Sequence, residues 1–260
     1  MHYLRGGSGS PPLVFVHGFA CSHEDWLLQT EFFRKSLEIV ACDLRGHGLT
    51  PGRPHECTIE HYGGDVAALL ANLDLDKSFL IGHSMGCRVV LEAARLDPER
   101  VAGLVLIDGS RTGSGDPDMA EAAARAAVEK AGYAAFAEDL FRQMFFTPSA
   151  LAEAVVVRAL RQSAQFGPSL WPAMARWDAA TMDAALAAVQ APVLVIQTTT
   201  RNAELKRSML KAGESSPYLD LLGKALKRVR IEVIPGVGHF PQLEAAAEVN
   251  RLIAGFVQKP

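Results

Sequence analysis

Cysteine is scarce. The four thiols, Cys21, Cys42, Cys57 and Cys87, form no CxxC pair and fall far short of the density of a disulfide-stapled scaffold, so free, reduced thiols are expected. No cysteine–histidine spacing marks a zinc site, and neither a G-x-G-x-x-G turn nor a P-loop is present, so no metal and no nucleotide cofactor is expected. Any chemistry is left to side chains. An excess of positive charge is missing as well. Against 26 Lys and Arg stand 29 Asp and Glu, a formal net charge of −3, which leaves no basic field to hold nucleic acid or an anionic membrane. No apolar run approaches the roughly 20 residues a spanning helix needs, and Met1–Gly7 lacks the apolar stretch of a secretory leader. These absences lead to the expectation of a soluble, intracellular, cytoplasmic protein whose partner is a small molecule, not nucleic acid or membrane.

What is present is apolar. With 49% hydrophobic and 21% charged residues in 260, the chain can bury one large core. Short apolar runs at 12–16, 37–42, 78–81, 101–107 and 192–196 read as buried strands, and the sheet is expected to resume once more at 229–234. Helical spacing separates them at about 24–35, 58–73 (with Thr58 as N-cap) and 89–96, and closes the chain at about 243–256. Strand–helix alternation at these lengths predicts a parallel sheet wrapped on both faces. From about Thr112 to Val189 the rhythm changes to helical segments alone, rich in alanine and large apolar groups. Between the last two strands, helical pieces are expected at 203–210 and 218–227.

The stretch Gly82-His83-Ser84-Met85-Gly86 lies at a strand-to-helix junction. A serine held there between two glycines sits on a sharp turn, where a side chain at either glycine would meet the neighbouring strand or helix. Its hydroxyl is presented at the carboxyl edge of the sheet, beside the free N–H groups of the helix that starts there. Three more polar turns end strands: His17-Gly18-Phe19, Asp43-Leu44-Arg45-Gly46-His47-Gly48 and Gly238-His239-Phe240. Asp43 and Arg45 could pair within their own turn.

Together, these four motifs in this order resemble the α/β-hydrolase superfamily over almost the whole chain. The resemblance implies an α/β-hydrolase core over 1–111 and 190–260, with an inserted helical cap over 112–189. It implies Ser84 as nucleophile, His239 as general base, and the backbone N–H groups of Phe19 and Met85 as an oxyanion hole. The third member of the triad departs from the family pattern. Most relatives carry an aspartate shortly after the strand that here is 193–196, but this chain reads Gln197-Thr198-Thr199-Thr200-Arg201-Asn202. Asp108, at the end of the strand after the serine, is the favoured substitute. Glu204 and the absence of any acid are the alternatives.

His17, His83, His47 and Arg45 read as loop scaffolding, and Cys87 as a small core residue. Trp26, Phe145, Trp171 and Trp177, with Phe19, are candidates for a substrate pocket. The motif loops hold no cluster of Arg or Lys, so a small to medium, neutral, hydrophobic ester or lactone is the expected substrate, cleaved through an acyl-enzyme. Thioesterase, amidase and carbon–carbon hydrolase chemistry run on the same fold, as does a non-catalytic ligand receptor.

Overall fold

A computed structural model describes residues 1–202, 204 and 206–259. The chain runs β1 (Tyr3–Gly6), β2 (Leu13–Val16), α1 (Leu27–Phe33), β3 (Ile39–Cys42), α2 (Ile59–Asn72), β4 (Ser78–His83), α3 (Met85–Leu96) and β5 (Val101–Ile107). Five helices follow: α4 (Pro117–Ala131), α5 (Tyr133–Arg142), α6 (Ala150–Ser163), α7 (Gly167–Ala180) and α8 (Met182–Ala188). The remainder is β6 (Val193–Gln197), β7 (Thr199–Arg201), β8 (Arg207–Met209), α9 (Pro217–Ala225), β9 (Val229–Val233), α10 (Pro241–Glu244) and α11 (Ala246–Gln258).

Seven strands form one sheet in the order β1-β3-β2-β4-β5-β6-β9, parallel except for β1 at the edge. Side chains alternate across the pleat, so each central strand feeds two cores. Leu13 and Phe15 pack with Trp26, Phe33 and α11 residues such as Ile253 on one face, while Val14 and Val16 join α2 and α3 residues such as Val66 and Val90 on the other. Full burial on both faces explains why these strands read as unbroken apolar runs.

The register positions the site. His83 of β4 pairs with Ile107 of β5, so Ser84 and Asp108 leave the sheet at the same level. Ile107 in turn pairs with Ile196 of β6, and the Asp108 N–H donates to the Ile196 carbonyl at 2.8 Å. Across this edge lie the helices between β5 and β6. Thr58 caps α2 as expected, its hydroxyl oxygen accepting from the His61 N–H at 3.3 Å.

Three expectations differ. β1 was not foreseen, because an exposed, four-residue edge strand paired on one side shows neither an apolar run nor clean alternation. In the piece expected to be helical over 203–210, positions 203 and 205 lie outside the described residues, and 207–209 form β8, paired antiparallel with β7. The closing helix is broken at Ala245, whose ψ of 41° with φ of −135° separates α10 from α11. No helix among the described residues is long and apolar enough to cross a membrane.

Candidate active site

The turn that carries Ser84 is built by contact. A Cβ on Gly82 would stand 2.3 Å from the Gly86 carbonyl oxygen, and one on Gly86 would stand 2.3 Å from that of Val16. Neither obstacle is a flexible side chain, so only glycine lets the strand and helix approach this closely. Ser84 itself has φ 54° and ψ −114°, and Asp108 has φ 44°. Both occupy backbone regions that L-residues avoid, at a cost of order 1–3 kcal/mol each, which the surrounding packing sustains.

Ser84, His239 and Asp108 form one hydrogen-bonded line. The Ser84 hydroxyl lies 2.8 Å from His239 Nε2, and His239 Nδ1 lies 2.5 Å from Asp108 Oδ2. The carboxylate fixes the tautomer: Nδ1–H donates to Asp108, leaving Nε2 to accept from the serine. Asp108 is fully buried and saturated with donors. Its Oδ1 accepts from the backbone N–H groups of Thr198 and Thr199, both at 2.8 Å, and its Oδ2 from the Thr199 hydroxyl at 2.5 Å. Burial alone would raise its pKa; the bond and charge of His239, with Arg207 and Thr199, outweigh burial and hold it at about 2. His239 is pushed well below its ordinary value by burial first and then by Arg207, against the opposing pull of Asp108. At neutral pH the pair is therefore carboxylate and neutral imidazole. That imidazole is able to take a proton.

The histidine turn is held from several sides. His83 Nε2 donates to the His239 carbonyl at 2.7 Å, and burial lowers the His83 pKa to about 4, so the ring is neutral. Glu244 accepts from the backbone N–H groups of Phe240 at 3.1 Å and Gly238 at 3.3 Å. The His239 N–H donates to the carbonyl of Met144, tying the turn to the helical insertion.

Over Ser84 lies a cavity of about 20 Å³, room for roughly one water. It is bordered by Phe19, Met85, Leu140, Met144, Trp171 and Met174, together with Arg88, Thr112, Arg201 and Arg207. The backbone N–H groups of Phe19 and Met85, both residues bordering this cavity, have no acceptor among the described residues. A larger cleft of about 400 Å³ adjoins it, sharing Ser110, Thr112 and Arg201.

Of the pocket candidates, Trp171 and Phe19 border the cavity. Trp26 does not: it lies on the other face of the sheet, fully buried, with its ring 5.2 Å from that of Phe15. Phe145 stacks on Phe240 at 5.1 Å and braces the histidine turn, and Trp177 is fully buried in the core packing of α7. Large aromatics were drawn into these positions by packing, the commoner use of such side chains.

The three arginines were missed. They come from α3 and from the β7–β8 hairpin, outside the motif loops, so the absence of an Arg or Lys cluster in those loops does not leave the cavity without cations. The signal available was the segment after β6, which replaces the expected acid with Arg201. Arg45 grips Asp65 of α2 through two bonds of 2.7 and 2.6 Å instead of pairing with Asp43. Asp43 receives His2, His23 and the Leu49 N–H. His17 donates from Nδ1 to the Gly18 carbonyl and accepts the Leu44 N–H at Nε2, a structural role. Glu204 is exposed in the turn between β7 and β8. Cys87 is buried, and burial pushes its thiol up to about 12. All four cysteines are free.

The fold and the serine turn define an α/β hydrolase, and the comparison with known proteins agrees. The model of the alpha/beta hydrolase family matches residues 13–252, and the chain belongs to that family. It is 30% identical over 98% of its length to the dihydrolipoyllysine-residue acetyltransferase component of the acetoin cleaving system of Pseudomonas putida. The chain spans 65% of that protein's length. Among solved structures it is similar to a thermophilic esterase from Thermogutta terrifontis (TM-score 0.77, 25% identity, 99% of this chain and 93% of that one). It is likewise similar to an N-acyl homoserine lactone degrading enzyme (TM-score 0.74, 27% identity, 98% and 96%).

Proposed function

We propose that this chain is a serine hydrolase that cleaves a carboxylic ester or lactone through an acyl-enzyme on Ser84. The observation that carries the reading is the line Ser84 Oγ, His239 Nε2, His239 Nδ1, Asp108 Oδ2, with separations of 2.8 and 2.5 Å. His239 takes the serine proton as Oγ attacks the carbonyl, and Asp108 stabilises the resulting imidazolium and keeps the ring oriented. The Phe19 and Met85 N–H groups stabilise the tetrahedral oxyanion. His239 then returns the proton to the leaving alcohol, and the same groups act on water to release the acid. The similarity to an esterase and to a lactone-degrading enzyme supports this substrate class.

The helices from α4 to α8 act as a lid in this account. Leu140, Met144, Trp171 and Met174 supply apolar contact for the hydrocarbon part of the substrate. Because the cavity at Ser84 holds little more than a water, the lid must open to admit an ester. The test is turnover of short-chain 4-nitrophenyl esters and γ-lactones by the native chain and by Ser84→Ala. Turnover abolished in the variant is expected; undiminished turnover overturns the proposal.

A further inference from the structure

Among the described residues, Arg201 is the charged group in this cavity whose hydrogen-bonding capacity is unmet; the only other such side chain, Trp171, is neutral and leaves a single indole N–H. It stands in β7 opposite Arg207 of β8, with Cζ 5.4 Å from the centroid of the Trp171 ring. Its Nε and Nη2 are shut off from solvent and have no hydrogen-bond partner among the described residues. The other two arginines are taken. Arg88 makes two 2.7 Å bonds to Asp178, and Arg207 donates to the Thr199 hydroxyl at 2.5 Å and reaches Asp108 at 3.4 Å. Three guanidinium groups thus face two carboxylates, and the remaining lining is neutral, with His239 uncharged at neutral pH. One positive charge is left over.

An arginine buried with free N–H groups is costly, and the cost is removed when an acceptor arrives. Burial, with repulsion from Arg207 and Arg88, lowers the Arg201 pKa to about 9, which still leaves it charged at neutral pH. The free nitrogens are the Nε and Nη2 edge of the fork. This chain uses that same edge to grip carboxylates elsewhere, among them Arg88 on Asp178 and Arg45 on Asp65. Arg201 borders both the cavity at Ser84 and the outer cleft of about 400 Å³. A molecule spanning the two passes it.

Building on the hydrolase reading, we infer that Arg201 anchors a carboxylate of the substrate, so that the ester or lactone whose carbonyl meets Ser84 is an anion, a monoester of a short dicarboxylic acid or its lactone equivalent. Nε and Nη2 bind the two carboxylate oxygens side-on, and Trp171 holds the guanidinium plane. The neutral substrate expected from the motif loops gives way to a charged one because the charge enters from the β7–β8 hairpin.

The experiment pairs monomethyl succinate with methyl levulinate, its neutral isostere, and follows hydrolysis at constant pH. The native chain is expected to favour the anion by about 10- to 100-fold in kcat/KM, the range of a charge-assisted hydrogen-bonded pair. In Arg201→Gln, and in Arg201→Met, which keeps the packing on Trp171, that ratio falls towards one. A native preference for the neutral ester overturns the inference, as does a ratio that survives both substitutions. Calorimetry of monomethyl succinate binding to Ser84→Ala reads the anchor without turnover. Binding that Arg201→Gln removes upholds the anchor even if neither ester is hydrolysed, in which case the hydrolase reading alone falls. No saturable binding to Ser84→Ala and no ester preference overturn the anchor itself.

Discussion

The Arg207 guanidinium reaches Oδ2 of Asp108 at 3.4 Å, the same oxygen that accepts from His239 Nδ1. A cation thus shares the carboxylate that, in the proposed mechanism, stabilises the imidazolium. Its own pKa falls to about 10 through burial, partly offset by Asp108, so it stays charged across the working range. The arrangement biases the line towards neutral histidine, because protonating His239 places a second positive charge beside the first.

The pH profile reports this bias. A general base works only when unprotonated, so the rate is lost as pH falls through the His239 pKa, which burial and Arg207 hold below 6.5. The acid limb of kcat/KM is expected below pH 6.5. Replacing Arg207 by Gln removes a group that lowers the pKa, so the limb moves to higher pH. A limb that stays in place in the variant contradicts the coupling.

Asp108→Asn turns the ring's partner from an acceptor of charge into a neutral amide that can select the wrong tautomer, and kcat should fall by about 10⁴-fold, the loss known for a serine-protease triad. Glu204→Gln, in an exposed turn, should leave kcat within about twofold. Steady-state kinetics on one ester decides between the two carboxylates; the larger loss in Glu204→Gln moves the acid to position 204.

Gly86→Ala places a methyl 2.3 Å from the Val16 carbonyl oxygen, in backbone that cannot step aside. Urea unfolding should show a loss of about 1–3 kcal/mol or more, as overpacked cores do. Equal stability means that β2 and α3 can separate, and the close approach is then not required.

Arg88 of α3 and Asp178 of α7 join the sheet-flanking core to the helical insertion through a buried pair, with Asp178 also accepting the Thr112 N–H. Asp178→Ala leaves a buried guanidinium unpaired and should cost about 3–5 kcal/mol in chemical denaturation. Replacing both, as Arg88→Met with Asp178→Leu, should recover part of that loss. A double variant no more stable than the single one contradicts the unpaired charge as the cause.

Much of the architecture could be read from the residues because burial on both faces leaves a plain mark. The stretches 13–16, 39–42, 101–107 and 193–196 are runs without a polar side chain, and the glycines at 82 and 86 announce the tight turn between β4 and α3. Ser84, Asp108 and His239 were legible because each stands at a strand end or in a polar turn beyond one, where neighbouring loops converge. The cavity wall was not. Trp26, Phe145 and Trp177 carry the same apolar signal whether they line a pocket or fill a core, and only packing separates the two. Arg201 and Arg207 lie in a short hairpin without period, so nothing in their spacing shows that both turn inward over the serine.

The central claim is that His239 activates Ser84, and reaction with a fluorophosphonate tests it most directly. Intact-mass analysis and peptide mapping should find one adduct per chain, on Ser84, with labelling slowed about 10³-fold or more in His239→Ala, since the serine then lacks its base. An adduct at another residue, or labelling of Ser84 at an unchanged rate without His239, would contradict the account.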